Sequence, residues 1–295
     1  MHYMNENVYK KIRKESFFQT MRDGSEIFVT RYIPDFADEE ESSANEKCRG
    51  LLQISHGMLD HSARYENFCT FMAAHGFIVN AHDHRGHGKT GLNAAEKGKG
   101  KLGYLAEKDG FMAGVDDLHE VIEKFKDDYS ESRINGNDRL PVFLFAHSWG
   151  SFIAQGFIEK YGDTVDKCVL CGTAGPRNLL INCGRALLKL MSFFTKKTDE
   201  SPFFRKLSFS LYNSRIKKPF SKNAWFCRDN SVVKAYDEDP FCTFIPTFGF
   251  YCDLMEGLHL IHSSENIKKI PEKLPVFLIV GDGDPVGECA RSVEK

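Results

Sequence analysis

The segment from Pro141 to Ser151 restricts the fold of this chain more than any other stretch. Val142 to Ala146 is an apolar run suited to a β-strand, Ser148 follows almost at once, and Phe152, Ile153, Phe157 and Ile158 then recur at helical spacing. A strand that turns into a helix within two residues puts the turning residue in strained backbone. The residues two before and two after it must then be small, because strand and helix nearly touch there. Ala146 and Gly150 meet that need, with Ala146 standing where a glycine is more usual. A serine held this way is a candidate nucleophile, and the helix behind it aims unpaired N–H groups at whatever binds the serine oxygen. A plain strand–helix corner is the alternative reading of the same five residues.

The surrounding sequence predicts an α/β fold with a mostly parallel central sheet flanked by helices. Two β-suited runs, 15–21 and 26–34, flank Asp23-Gly24, a dipeptide that favours a tight hairpin. Residues 35–46 are acidic and read as a solvated loop. Strands are expected at 50–56, 77–81, 142–146, 167–172 and 275–280, each a short apolar run of the kind buried on both faces. Between them lie predicted helices at 64–75, 111–129 and 249–262, and a glycine-rich loop around Gly86 and Gly88. The 111–129 helix places Phe111, Val115, Leu118, Ile122 and Phe125 on one face. The alternation stops near Gly175. Residues 176–245 are basic and aromatic, and are expected to form a helical insertion between core segments 1–175 and 246–295.

Composition excludes several classes. A net charge of −2 offers no basic face for nucleic acid. Nine cysteines show no regular spacing, and Cys168 and Cys171 lie in an apolar strand without partners at ligand spacing, so buried thiols are expected rather than a zinc or redox site. The N-terminus lacks an apolar signal region, and no run of about 18 apolar residues is present. Cytoplasm is therefore the expected compartment, with no cofactor, no metal and no obligate protein partner.

A serine nucleophile needs a base, a group that orients the base, and donors for the developing oxyanion. His56-Gly57-Met58 closes the first strand of the parallel region, so the N–H of Met58 is a candidate oxyanion donor, paired with that of Trp149 just after the serine. The last strand runs into Gly281-Asp282-Gly283-Asp284, and the C-terminal strand ends of an open α/β sheet carry its site. Asp284 is the first choice for the orienting carboxylate and Asp282 the second.

On these residues the chain resembles the α/β-hydrolases, and within them the monoacylglycerol lipase and lysophospholipase-like group (serine aminopeptidase S33 type). The resemblance rests on His56-Gly57-Met58 followed by His61, Arg64 and Tyr65; on the Asp83–Gly88 string; on His147-Ser148-Trp149-Gly150; and on Gly281 to Asp284. It implies an acyl-enzyme on Ser148, a lipid carboxylic ester such as a monoacylglycerol or lysophospholipid as substrate, and a buttressing role for the Asp83–Gly88 string. It also implies that 176–245 is a cap over the acyl pocket, through which the protein touches a membrane surface transiently. Peptidase action would use the same parts. The group's catalytic histidine follows one further strand after the acid, whereas no histidine follows His262 here. His147 adjoins the nucleophile, where neighbouring side chains point apart; His56, His82, His84 and His87 lie on loops; His259 and His262 fall on a helix. A shortened reading frame, lacking the last strand and helix, is the expected account, and a non-catalytic product of the same fold is the alternative.

Overall fold

The hairpin that opens the sheet follows from Asp23-Gly24: Gly24 takes φ 80°, and strands β1 (Ile12–Thr20) and β2 (Glu26–Pro34) pair antiparallel in full register from Ile12–Pro34 to Thr20–Glu26. The protein is seen as a computed structural model that describes residues 12–35, 48–130, 133–134, 138–210 and 212–294. Most of the predicted acidic loop, 36–46, lies outside the described residues.

Five further strands complete a seven-stranded sheet: β3 (Gly50–Ser55), β4 (Phe77–His82), β5 (Val142–His147), β6 (Lys167–Cys171) and β7 (Val276–Ile279). Their spatial order is β1-β2-β4-β3-β5-β6-β7, with every pair from β4 to β7 parallel. Crossover helices make this possible: α1 (Glu66–Ala74), α2 (Gly88–Glu96), α3 (Gly110–Asp128) and α4 (Trp149–Tyr161). One face is covered by α3, α4 and a later helix, 248–261, and the five apolar residues predicted for α3 are all at most 2% exposed. Each such side chain contributes about 1.5–3 kcal/mol by leaving water. The other face packs Cys69 and Ala73 of α1 against Tyr32, Leu52, Ile54, Val79 and Ala81.

Residues 176–245 hold helices α5 (Asn178–Met191), α6 (Pro202–Phe209), α7 (Asn230–Glu238) and α8 (Pro240–Thr243); α9 (Phe248–Ile261) then returns to the core. Two expectations are corrected. The glycine-rich stretch after β4 turns into helix α2 at Gly88, because the Asp83 carboxylate accepts the Lys89 N–H in its first turn. The 275–280 strand forms but is not buried: Val276, Phe277, Leu278 and Ile279 are 38–63% exposed, because β7 pairs with β6 alone. Among the described residues, no helix is long and apolar enough to cross a membrane.

Candidate active site

The elbow predicted around Ser148 is present and strained. Ser148 has φ 51° and ψ −119°, a combination that L-residues adopt only under constraint. Its N–H donates to the Cys171 carbonyl at 2.8 Å, and its own carbonyl accepts the Ser151 N–H and hydroxyl. The need for small residues is visible at Gly150, where a Cβ would stand 2.4 Å from the carbonyl oxygens of both Ser55 and His56. Ala146 is fully buried on the strand side.

Register then assembles the other candidates. Ser55 lies beside Ala146, so the His56-Gly57-Met58 turn emerges next to Ser148. A Cβ on Gly57 would lie 3.4 Å from the Ser148 Cβ and 3.3 Å from His147 Nδ1, so glycine lets this turn approach. Among the described residues, no carbonyl takes the Met58 N–H. Trp149 is the first residue of α4, so its N–H has no intrahelical acceptor. Cys171 pairs with Ile279, and the Gly172 N–H donates to the Ile279 carbonyl, which carries the turn after β7 to the same end of the sheet. There Asp284 Oδ1 accepts the Val286 N–H at 2.8 Å, and its Oδ2 comes within 3.5 Å of where a Gly172 Cβ would be. Asp282 turns outward, its side chain 94% exposed opposite Arg228. Ser148, Trp149, Met58, Asp282 and Asp284 thus all line one cavity, Asp284 being the less exposed of the two carboxylates.

The histidines settle differently from their predicted places. His147 does not point away: its ring lines the cavity with Ser148, and its Nε2 comes within 3.5 Å of the Gly172 Cβ position that Asp284 Oδ2 also approaches. Tyr65 donates its single hydroxyl proton to Asp60 Oδ2 (3.0 Å), so His147 Nδ1–H must donate to the Tyr65 oxygen (2.8 Å), leaving Nε2 with a free lone pair. Burial pushes the His147 pKa down, against the pull of Asp60 and Asp284. Asp60 is held below the ordinary carboxylate range: burial opposes this, but Arg64 at 2.8 Å and the nearby imidazoles outweigh it. Sequence reasoning missed Asp60 as a site residue, although it is flanked by the quoted His61, Arg64 and Tyr65.

His56, His84 and His87 do lie on loops, as expected, yet with His82 they form a buried cluster behind the turn. His82 ends β4, the ring centroids of His56 and His84 lie 4.5 Å apart, and His56 Nε2 accepts the His84 N–H. Burial keeps all four neutral, with His56 pushed down to about 4 and His82 and His87 to about 3. The Asp83–Gly88 string braces this floor. Asp83 Oδ1 accepts the Ser62 N–H and Oδ2 the Lys89 N–H, both at 2.7 Å, while Arg85 grips buried Asp117 through two nitrogens. His262 is also drawn in, its Nε2 3.3 Å from the Ala174 carbonyl.

The cavity measures about 1290 Å³. Beyond the polar floor it is walled by Leu180, Leu187 and Leu207 of α5 and α6 with Phe220 and Trp225, residues of the predicted insertion, and by Leu254 of α9. Phe193, Phe194 and Phe203 of the insertion are not among these walls and are 58–88% exposed. Such a chamber exceeds the usual small-molecule range of about 300–1,000 Å³.

Comparison with known proteins agrees with this architecture. The family model for serine aminopeptidase, S33, matches residues 46–294. A monoacylglycerol lipase of Mycolicibacterium smegmatis is 30% identical over 149 residues, covering 48% of this chain and 46% of the relative. The human monoglyceride lipase is 31% identical over 106 residues, covering 36% and 29%. The chain thus spans less than half the length of these curated relatives. Among solved structures, a thermostable carboxyl esterase from Bacillus coagulans, in complex with glycerol, is 28% identical with a TM-score of 0.79, covering 96% of this chain and 84% of that one. A monoglyceride lipase from Saccharomyces cerevisiae shares the fold at 17% identity and a TM-score of 0.66, covering 96% and 80%.

Proposed function

The chain belongs to the serine aminopeptidase S33 family of α/β-hydrolases, in its monoacylglycerol lipase-like group, and on that premise we propose that it cleaves carboxylic esters of lipids through an acyl-enzyme on Ser148. The single observation that carries the reading is the strained serine in a mostly apolar chamber whose lining includes Met58 and Trp149. Ser148 Oγ attacks the ester carbonyl, and the Met58 and Trp149 N–H groups hold the oxyanion of the tetrahedral intermediate. The intermediate collapses with loss of the alcohol, and water then releases the acid. The Ser148 hydroxyl proton must pass to an imidazole base and from it to the leaving alcohol, and Asp284 is the carboxylate proposed to orient that base; among the described residues no histidine is hydrogen-bonded to Ser148 Oγ. The leucine and aromatic walls favour an acyl chain over a peptide, so a monoacylglycerol or lysophospholipid is the proposed substrate. The exposed Phe193, Phe194 and Phe203, with lysines between them, suit transient contact with a lipid surface. A reducing cytoplasm is the proposed compartment, since all nine cysteines are free.

The test is covalent labelling by a fluorophosphonate, with hydrolysis of p-nitrophenyl butyrate and of a long-chain monoacylglycerol measured alongside. Ser148→Ala is expected to abolish labelling and to lower hydrolysis by several orders of magnitude. Labelling that persists in Ser148→Ala refutes the nucleophile. A preference for short soluble esters over the long-chain monoacylglycerol refutes the lipid substrate.

A further inference from the structure

On the seam between the core and the insertion, next to Arg64 and Tyr236 of the chamber wall, three side chains of different ligand chemistry converge. His61 follows β3, whereas Asp239 and Cys242 start and end one turn of helix at α8, 178 residues away from His61 for the aspartate. His61 Nε2 lies 2.9 Å from Asp239 Oδ2, and these two atoms and Cys242 Sγ all lie within 4.8 Å of one another. The aspartate is preset: its Oδ1 accepts the Phe241 N–H at 2.8 Å and its carbonyl accepts the Thr243 hydroxyl, leaving Oδ2 for the histidine. Cys242 sits three residues on, on the same side of the turn, and is fully buried. The Phe241 ring packs on the imidazole with centroids 5.5 Å apart, shielding that side from water.

We propose that His61 Nε2, Asp239 Oδ2 and Cys242 Sγ bind one Zn²⁺-class divalent cation, which fastens the insertion to the core independently of ester hydrolysis. A nitrogen, a carboxylate oxygen and a thiolate together suit a borderline-soft ion, and a water completes four-coordination. Tetrahedral bonds of about 2.0–2.3 Å set ligand atoms roughly 3.3–3.7 Å apart, so His61 Nε2 and Asp239 Oδ2 must part slightly from 2.9 Å while Cys242 Sγ draws in. Charge closes as well, since one carboxylate and one thiolate neutralise the doubly charged ion. The neighbouring Arg64 is already matched by Asp60 at 2.8 Å. Binding exchanges protons for metal: the Cys242 S–H bond breaks as S–M forms, its proton passes to water, and the imidazole presents Nε2 as its lone-pair nitrogen with the N–H on Nδ1. The seam is already a contact zone, with the Arg64 guanidinium 4.9 Å from the Tyr236 ring and 5.0 Å from Phe226, so a cation here would restrain the mouth of the chamber. Linear spacing gives no sign of the set, because two of its ligands are separated from the third by most of the chain.

Titration of the chelator-stripped full chain with Co²⁺, followed by absorption, tests the site. One equivalent is expected to bring up a thiolate-to-cobalt charge-transfer band with the visible bands of a tetrahedral ion. Zn²⁺ is expected to abolish both and to raise the melting temperature. Cys242→Ser should lose the charge-transfer band, His61→Gln should weaken Co²⁺ binding about tenfold or more, and the exposed-site control Cys183→Ser should leave both unchanged. No band at saturating Co²⁺ overturns the proposal. So does a band of full strength in Cys242→Ser, which would put the ion on another cysteine.

Discussion

Replacing His87 by leucine should reverse the sign of its effect on stability as the pH falls. His87 is fully buried, its Nδ1–H donates to the Arg85 carbonyl at 2.8 Å, and its Nε2 has no partner. Phe244 and Phe250 pack on the ring with centroids 5.6 and 5.8 Å away. Burial, and secondarily His56, push its pKa from 6.5 down to about 3. A histidine whose folded pKa is depressed gives its full stability above pH 6.5 and loses it as pH falls toward 3, because only the unfolded chain takes up the proton. From pH 7 to pH 5 the loss is about 2 kcal/mol for this one group. At pH 7, His87→Leu forfeits one hydrogen bond and some packing, about 1 kcal/mol. The variant should therefore be less stable than the parent at pH 7, equal near pH 6, and more stable by about 1 kcal/mol at pH 5. Urea unfolding at half-unit pH steps, with slopes checked for two-state behaviour, measures this. Two stability curves that stay parallel from pH 7 to 5 refute the reasoning, since they would mean that His87 titrates alike in both states.

Gly150→Ala places a Cβ 2.4 Å from two carbonyl oxygens, so α4 must retreat from β3 by about 1 Å; a stability loss of about 1–3 kcal/mol and a fall in esterase rate of about 100-fold are expected, and parental values in urea unfolding and p-nitrophenyl butyrate hydrolysis would contradict the close-packed elbow. Glu159 on α4 is 8% exposed, and burial raises its carboxyl to about 8, only partly offset by Lys269. Its raised folded pKa makes it stabilising below about pH 4.5 and costs stability as pH climbs toward 8, so Glu159→Gln should gain about 1 kcal/mol at pH 8, after allowance for partial solvation, and nothing at pH 4. Melting temperatures at those two pH values check it, and an equal gain at both would point to packing instead. Excising 176–245 should reduce hydrolysis of a long-chain monoacylglycerol far more than that of p-nitrophenyl butyrate, and equal losses would count against chain selection by those walls.

Much of the fold was legible because its signals are local. The alternation of apolar strands with helical spacing required a parallel sheet, and a parallel sheet delivers the ends of β3, β5 and β7 to one side, so Met58, Ser148, Trp149 and Asp284 had to arrive near each other. The need for small residues at Ala146 and Gly150 was equally local, a matter of how closely a strand and the helix after it can pass. What stayed hidden depends on partners distant in sequence. The orientation of His147 rests on the Tyr65 hydroxyl, and that in turn on Asp60. The neutrality of the four-histidine floor comes from burial beneath α2 and α9, which no spacing records. The surroundings of Asp284 and Asp282 also differ in a way no spacing shows, the one near Gly172 and the other in water. Periodicity fixes which residues share a face, because backbone geometry repeats along the chain; which faces meet, and what they shield from water, is settled only when side chains far apart in sequence compete for the same volume.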